Sequence, residues 1–217
     1  MKFFIIIKQH SERVPNKNFK SLGGIPLWKH LITTLKGQQV YIDTDSEEIF
    51  EESKKLDWVT CYKRDRRFIE LENSTDFKVS PVLMMIENFL DTYVEDENEI
   101  IVTPHVTSPF IRLETIIDAA KYIGQYESVQ ACTAHKEFTY YQNKPVNFDP
   151  KVVQKTQDLE PILMGNGAFF IFTKAVFKAH KNRVGKNNFF FPLNFKEAVE
   201  IDTQEDFDLA KIIYENN

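Results

Sequence analysis

Five apolar residues, Phe3-Phe4-Ile5-Ile6-Ile7, run without alternation near the start of the chain, and the polar stretch Lys8–Asn18 follows at once. An unbroken apolar run of this length predicts a strand buried on both faces, as in a parallel sheet with helices on each side. A polar loop directly after such a strand lies at the carboxyl edge of the sheet, where open α/β sheets bind ligands. The loop carries three cations, Lys8, Arg13 and Lys17, with Ser11 and the rigid Pro15 among them. Lys and Arg are the usual partners of phosphate, so the stretch suits a polyphosphate. The plain alternative is a solvated surface loop; the fixed offsets of Pro15 and Asn18 among the cations weigh against it.

The rest of the chain alternates strand and helix signals. Strands are expected at 2–7, 40–42, 58–62, 100–103, 128–132 and 168–172, with a short one near 189–192 and a strand-like stretch at 198–202. Helices are expected over 26–36, 46–55, 79–94, 113–123, 173–180 and 203–215. Pro26 stands near the start of the first, and Ser46 or Asp45 caps the second. Val82, Met85, Ile86 and Phe89 recur at close to helical spacing. Gly23-Gly24 marks a turn. Residues 135–160 break the pattern and read as an excursion from the sheet, built of antiparallel arms. Alternation of this kind predicts an α/β fold, a mostly parallel sheet with helices on both faces. The 217 residues are read as one unit, 1–217, with no internal repeat or linker.

Composition narrows the partners. Net charge is −5 and no basic face is apparent, which argues against nucleic acid. No stretch approaches the roughly 18 apolar residues of a membrane span. Cys61 and Cys132 form no C-x-x-C pair and read as reduced core residues. With no signal-peptide cleavage pattern, a cytoplasmic location is expected.

Four polar groups directly follow expected strands: the Lys8–Asn18 loop, Asp43 with Asp45, the 103–112 segment, and Glu200 with Asp202. If the strands are parallel, all four share one edge. Glu200 and Asp202 stand two apart, and positions i and i+2 of a strand face the same way. Two carboxylates on one face suit Mg²⁺, which takes one or two carboxylates and completes its shell with substrate phosphates. A second reading makes Asp202 the cap of the last helix, with Glu205 three residues on; Thr203 as cap would free Asp202. Asp43 and Asp45 are open between capping and ligand roles. His10 and His105 also fall at expected edge positions. No Ser-His-Asp order, H-E-x-x-H or zinc spacing is present.

Five of these pieces, in order, resemble the CMP-sialic acid synthetase (acylneuraminate cytidylyltransferase) family. Lys8–Asn18 followed by Gly24-Ile25-Pro26-Leu27 is similar to the family's opening motif. Asp43-Thr44-Asp45 is similar to its S-T-D, Thr107-Ser108-Pro109 to its T-S-P, Asn166-Gly167-Ala168 to its N-G-A, and Glu200–Asp206 to its D-I-D-T-x-x-D. The resemblance implies a single Rossmann-like, three-layer α/β/α nucleotidyltransferase domain. It also implies transfer of CMP from CTP to an acidic, nonulosonic acid-like sugar, with Mg²⁺ bound and pyrophosphate released, in the biosynthesis of cell-surface glycans. Residues 135–160 would then form a dimerisation arm of a homodimer.

Position by position, the resemblance implies phosphate contacts from Lys8, Ser11 and Lys17, and places Asn18 near the nucleotide. Lys8, Lys17 and Asp202 would be catalytic, Glu200 and Asp202 would hold Mg²⁺, and Asp45 would contact the nucleotide. The segment from Lys63 to Asp76 aligns with the family's cytosine-reading region, which makes Arg64 and Ser74 candidates there. His105, Thr107 and Asn166 would face the acceptor. Some positions depart from the pattern: Lys8 stands for Arg, Glu200 for Asp and His105 for Gln. Thr156 and Met164 align near arginines that serve the sugar carboxylate. Another nonulosonic acid, a phosphorylated compound or a phosphonate therefore stays open as acceptor. So does a non-catalytic nucleotide-binding role for the same fold.

Overall fold

The computed structural model describes residues 1–72 and 80–216. Strand β1 (Lys2–Ile7) leads into the cationic loop, which closes in a short 3₁₀ turn at Lys17–Phe19. A small hairpin, β2 (Ser21–Leu22) and β3 (Ile25–Pro26), turns through Gly23 and Gly24, both at positive φ (59° and 89°), where glycine carries no Cβ penalty. Helix α1 (Leu27–Thr34) follows Pro26 directly. Then come β4 (Gln39–Thr44), α2 (Glu47–Ser53), β5 (Val59–Lys63) and α3 (Arg66–Glu72). Ser46 caps α2 by accepting from the Ile49 N–H at 3.3 Å. Helix α4 (Pro81–Tyr93) has Pro at its first turn, where a missing N–H costs nothing.

The second half holds β6 (Ile100–Pro104), α5 (Leu113–Ala120), β7 (Ser128–His135), β8 (Tyr140–Tyr141), β9 (Lys144–Pro145), β10 (Ile162–Thr173), α6 (Lys174–His180), β11 (Asn188–Pro192) and α7 (Gln204–Glu215). Thr203 caps α7 and Asp206 returns the bond, a capping box. Asp202 is therefore free of the capping role.

Seven strands form one sheet in the order β11-β7-β10-β6-β1-β4-β5. Only β10 runs antiparallel to its neighbours, β6 and β7. The chain moves from β1 outward through β4 and β5, then returns to lay β6 on the other side of β1. That reversal makes a topological switch point between the carboxyl ends of β1 and β6, the place where open α/β sheets leave a crevice.

Alternation along β1 sorts its side chains to two faces. Phe3, Ile5 and Ile7 join α1, α2 and α5 residues, including Trp28, Leu31, Ile49 and Ile116, in one core. Phe4 points the other way, stacked on Phe89 at 4.4 Å between ring centres, with Phe68, Met85 and Phe177 from α3, α4 and α6. A third, smaller core holds Leu22, Leu27, Ile201 and Phe207 beneath α7. The result is the three-layer α/β/α arrangement that the alternating signals predict.

Two expectations need correcting. Residues 198–202 are not a strand. Ala198 lies in a turn and 199–202 is irregular chain outside the sheet, bonded to the loop after β6 and to a side chain of β10: the Ile201 N–H reaches Thr107 O at 2.8 Å and Asn166 Nδ2 reaches Ala198 O at 2.9 Å. The strand expected at 168–172 begins earlier, at Ile162, with a register break between Gly165 and Phe170. The excursion contains the isolated β8–β9 hairpin, turned by Gln142 and Asn143 at positive φ (48° and 61°). Phe138, Tyr140 and Phe148 make edge-on ring contacts at its base. Among the described residues no helix is long and apolar enough to cross a membrane.

Candidate active site

A cleft of about 360 Å³ opens at the switch point. Its walls come from the loop after β1, the end of β6, Glu72 of α3, and Arg183. Volumes of ~300–1,000 Å³ are usual for small-molecule sites.

The cationic loop is folded, not merely solvated. Val14 is buried and accepts from the Lys17 N–H through its carbonyl at 3.1 Å. Asn16 adopts the left-handed conformation (φ 54°), which Asn tolerates better than most residues. The Gln9 N–H donates to Asp45 Oδ1 at 2.6 Å, and Asn18 Nδ2 donates to Lys8 O at 2.8 Å. Asp45 and Asn18 thus hold the two ends of the loop. The buried Oδ1 of Asn18 has no donor among the described residues, so a ligand hydroxyl or amine would satisfy it.

Lys17 is nearly buried, yet its ammonium reaches Ile201 O at 2.7 Å and Asp202 Oδ1 at 3.4 Å. An ammonium has three donors, and two are engaged. Arg13 meets the same Asp202 oxygen at 2.7 Å, and Lys8 lies 3.0 Å from Glu72. Three cations of one loop are held in place by two carboxylates. Ser11 lines the same cleft.

Arg64 is placed differently from a base-reading residue. Its side chain has no exposed surface and is absent from the cleft wall. The guanidinium bonds Asp43 Oδ1 at 2.6 Å, Glu72 Oε2 at 2.9 Å and Ile7 O at 3.2 Å. It ties the carboxyl ends of β1, β4 and β5 to α3, and through Glu72 it steadies Lys8. Ser74 lies outside the described residues.

Across the cleft, His105 and Thr107 follow β6. His105 Nδ1 stands 3.9 Å from Glu200 Oε1, and Glu200 Oε2 accepts from the Gly167 N–H at 3.1 Å. The His105 contact, then the Gly167 N–H, hold the Glu200 carboxyl below its usual range against the opposing effect of burial. Asn166 braces this wall: Nδ2 donates to Ala198 O, and Oδ1 accepts from the Ala168 N–H at 2.8 Å. Both ends of its amide are occupied, which makes it a support for this wall rather than a free contact. The antiparallel course of β10 is what brings Asn166 and Gly167 to the carboxyl end of β6.

Gly167 is a close approach. A Cβ there would lie 2.3 Å from Glu200 Oε1. Gly167→Ala is expected to displace the Glu200 carboxylate and to lower turnover by on the order of 10²-fold, the scale of an ångström-sized misplacement. Steady-state rates beside a thermal melt check this. Unchanged turnover would remove Glu200 from the site.

Glu200 and Asp202 are the residues that could hold a divalent cation. Among the described residues no group of three or more His, Cys, Asp or Glu forms a ready cage. Two carboxylates beside a phosphate-suited loop fit the Mg²⁺ habit of sharing its shell with substrate phosphates.

Reasoning from sequence missed two cleft residues. Glu72 ends α3, a helix of 7 residues whose apolar positions Phe68, Ile69 and Leu71 are too few to mark it in the sequence. Arg183 lies between α6 and β11 in a polar stretch with no motif, and only the fold brings it to His105, 3.5 Å away.

Residues 5–217 match the family model described as cytidylyltransferase. The N-acylneuraminate cytidylyltransferase of Streptococcus agalactiae serotype III is 26% identical over 214 residues, covering 91% of this chain and 49% of that protein. The pseudaminic acid cytidylyltransferase of Campylobacter jejuni serotype O:2 is 26% identical over 231 residues, covering 95% of this chain and 93% of that protein. The chain spans about half the length of the streptococcal relative. A solved structure of CMP:2-keto-3-deoxy-manno-octonic acid synthetase complexed with CTP superposes with a TM-score of 0.63 at 11% identity, over 99% of this chain and 98% of that one. That likeness concerns the fold.

Proposed function

The chain belongs to the cytidylyltransferase family, and from that premise we propose that it transfers CMP from CTP to the hydroxyl of a sugar acid, releasing pyrophosphate. The observation that carries the reading is the buried Lys17, fixed between Ile201 and Asp202 at the switch-point cleft with a donor to spare. A lysine held so, beside Lys8 and Arg13, suits the phosphates of a nucleotide.

In this reading Lys8, Arg13 and Lys17 bind the triphosphate and draw charge from its oxygens. Ser11 adds a hydroxyl donor, and the unpaired Oδ1 of Asn18 takes a donor from the nucleoside. His105 and Thr107 face the acceptor, with Asn166 behind them. The acceptor oxygen attacks the α-phosphorus in line, a P–O bond forms, and the bond to the pyrophosphate oxygen breaks. The hydroxyl proton passes to solvent or to a neighbouring carboxylate. Lys8 and Lys17 stabilise the departing pyrophosphate. Mg²⁺ on Glu200 and Asp202 would supply further charge neutralisation at the phosphate oxygens. No covalent nucleophile is required; positioning and electrostatics carry the step.

The test is a panel: CTP and Mg²⁺ with N-acetylneuraminic acid, pseudaminic acid, 2-keto-3-deoxy-manno-octonic acid, a polyol phosphate and a phosphonate. A CMP conjugate of one sugar acid, identified by mass, is the expected result. A conjugate of the phosphate or phosphonate alone would overturn the acceptor class. CTP binding without any conjugate would point to a non-catalytic protein on this fold.

A further inference from the structure

Among the described residues four cationic side chains line the cleft: Lys8, Arg13, Lys17 and Arg183. The first three have carboxylate partners, Glu72 or Asp202. Arg183 has none among the described residues. Its contacts are the Phe170 ring, 3.6 Å from the guanidinium carbon, and His105 Nε2, 3.5 Å from Nη1. Burial lowers its pKa to about 10, which leaves it charged at neutral pH. A partly desolvated cation without a counter-charge is unfavourable in isolation. Standing on a ligand cleft, it finds its counter-charge in the ligand.

Position says which ligand. The three paired cations all belong to the loop after β1. Arg183 stands on the opposite wall, between Phe170 of β10 and His105 after β6. A guanidinium stacked flat on a ring keeps its in-plane N–H edge for a planar anion, and a carboxylate matches that fork with two parallel bonds. His105 continues the row toward Glu200. Its Nδ1 faces the Glu200 carboxylate and its Nε2 faces the Arg183 guanidinium. A triphosphate on the β1 loop leaves Arg183 to the second reactant.

We propose that Arg183 binds the carboxylate of the acceptor and so makes this site selective for acidic acceptors. This rests on the reading of the β1 loop as the triphosphate site.

The test is a calorimetric titration of N-acetylneuraminic acid, pseudaminic acid and 2-keto-3-deoxy-manno-octonic acid into wild type, Arg183→Gln and Arg183→Lys. EDTA blocks turnover, and each titration is run with and without CTP. At least one acid is expected to bind wild type. Arg183→Gln is expected to weaken it by roughly 10–100-fold, the weight of charge-assisted hydrogen bonds, with Arg183→Lys between the two. The C1 amide of the same sugar is expected to bind wild type and Arg183→Gln alike, and CTP is expected to bind all three proteins equally. Equal affinity of the acid for wild type and Arg183→Gln would overturn the proposal. So would no acid binding to wild type, or a loss falling on CTP instead. If Arg183→Gln does not fold, Arg183→Lys decides, because undiminished acid binding there contradicts a fork-specific contact. Failure of wild type to bind CTP would sink the triphosphate reading, while the titrations without CTP would still report on Arg183.

Discussion

Asp202→Ala is expected to abolish measurable CMP transfer while leaving the protein folded. Asp202 is the shared partner of Arg13 and Lys17 and one of two carboxylates suited to a divalent cation. Its removal unlatches both cations and halves that carboxylate pair. Losing one preorganised electrostatic group of a transition state costs on the order of 10²–10³-fold, and in the proposed reaction Asp202 would combine two such roles. The exposed ion pair with Arg13 contributes little, but among the described residues the nearly buried Lys17 keeps only the Ile201 carbonyl, so stability should fall by about 1–3 kcal/mol. The α7 cap is untouched, since Thr203 and Asp206 form it. Asp202→Asn separates the effects by keeping the shape and removing the charge. Wild-type turnover in either variant would remove Asp202 from the phosphate and metal machinery.

Arg64→Met is expected to act through the fold. The guanidinium is the counter-charge of the buried Asp43 and bonds Glu72 and the Ile7 carbonyl as well. Breaking a buried pair by removing one partner typically costs about 3–5 kcal/mol, because the other charge is left uncompensated. The loss should depend on pH, and its sign follows from Asp43. Burial raises the Asp43 carboxyl above its usual value of 3.8, and Arg64 is the main opposing influence. Without Arg64 the folded value rises further. A carboxyl raised by folding contributes stability below its unfolded pKa and loses it as pH climbs toward the folded one. The deficit of Arg64→Met relative to wild type should therefore be smaller near pH 5 than near pH 8. Urea unfolding at both pH values measures it. An equal deficit at the two would mean that Asp43 does not titrate in the variant.

Much of this site can be read from the chain because it is local. A buried strand followed by a cation-rich loop needs no long-range knowledge; the i, i+2 argument for Glu200 and Asp202 assumes a strand that 198–202 does not form. The inference that four polar groups share one edge also holds, although Glu200 and Asp202 reach it on an irregular segment. What fixes that segment is the Ile201 N–H on Thr107 O, a bond across 94 residues that no periodicity reveals. Arg64 shows the opposite limit. In Lys63-Arg64-Asp65 every residue is polar, and only the position of Asp43 on the next strand decides that the middle one turns inward. The antiparallel direction of β10 depends on its pairing with β6 and β7, and Arg183 depends on β10 for its stacking partner.

The central claim is that this cleft performs cytidylyl transfer, and the direct measurement is pyrophosphate release from CTP, UTP, ATP and GTP in turn. Each is run with Mg²⁺ and the sugar acids, for wild type beside Asp202→Ala. Release from CTP far above the other three, dependent on one acid and lost in Asp202→Ala, is the predicted result. Equal release from all four nucleotides, or CTP-dependent release that survives in Asp202→Ala, would contradict it.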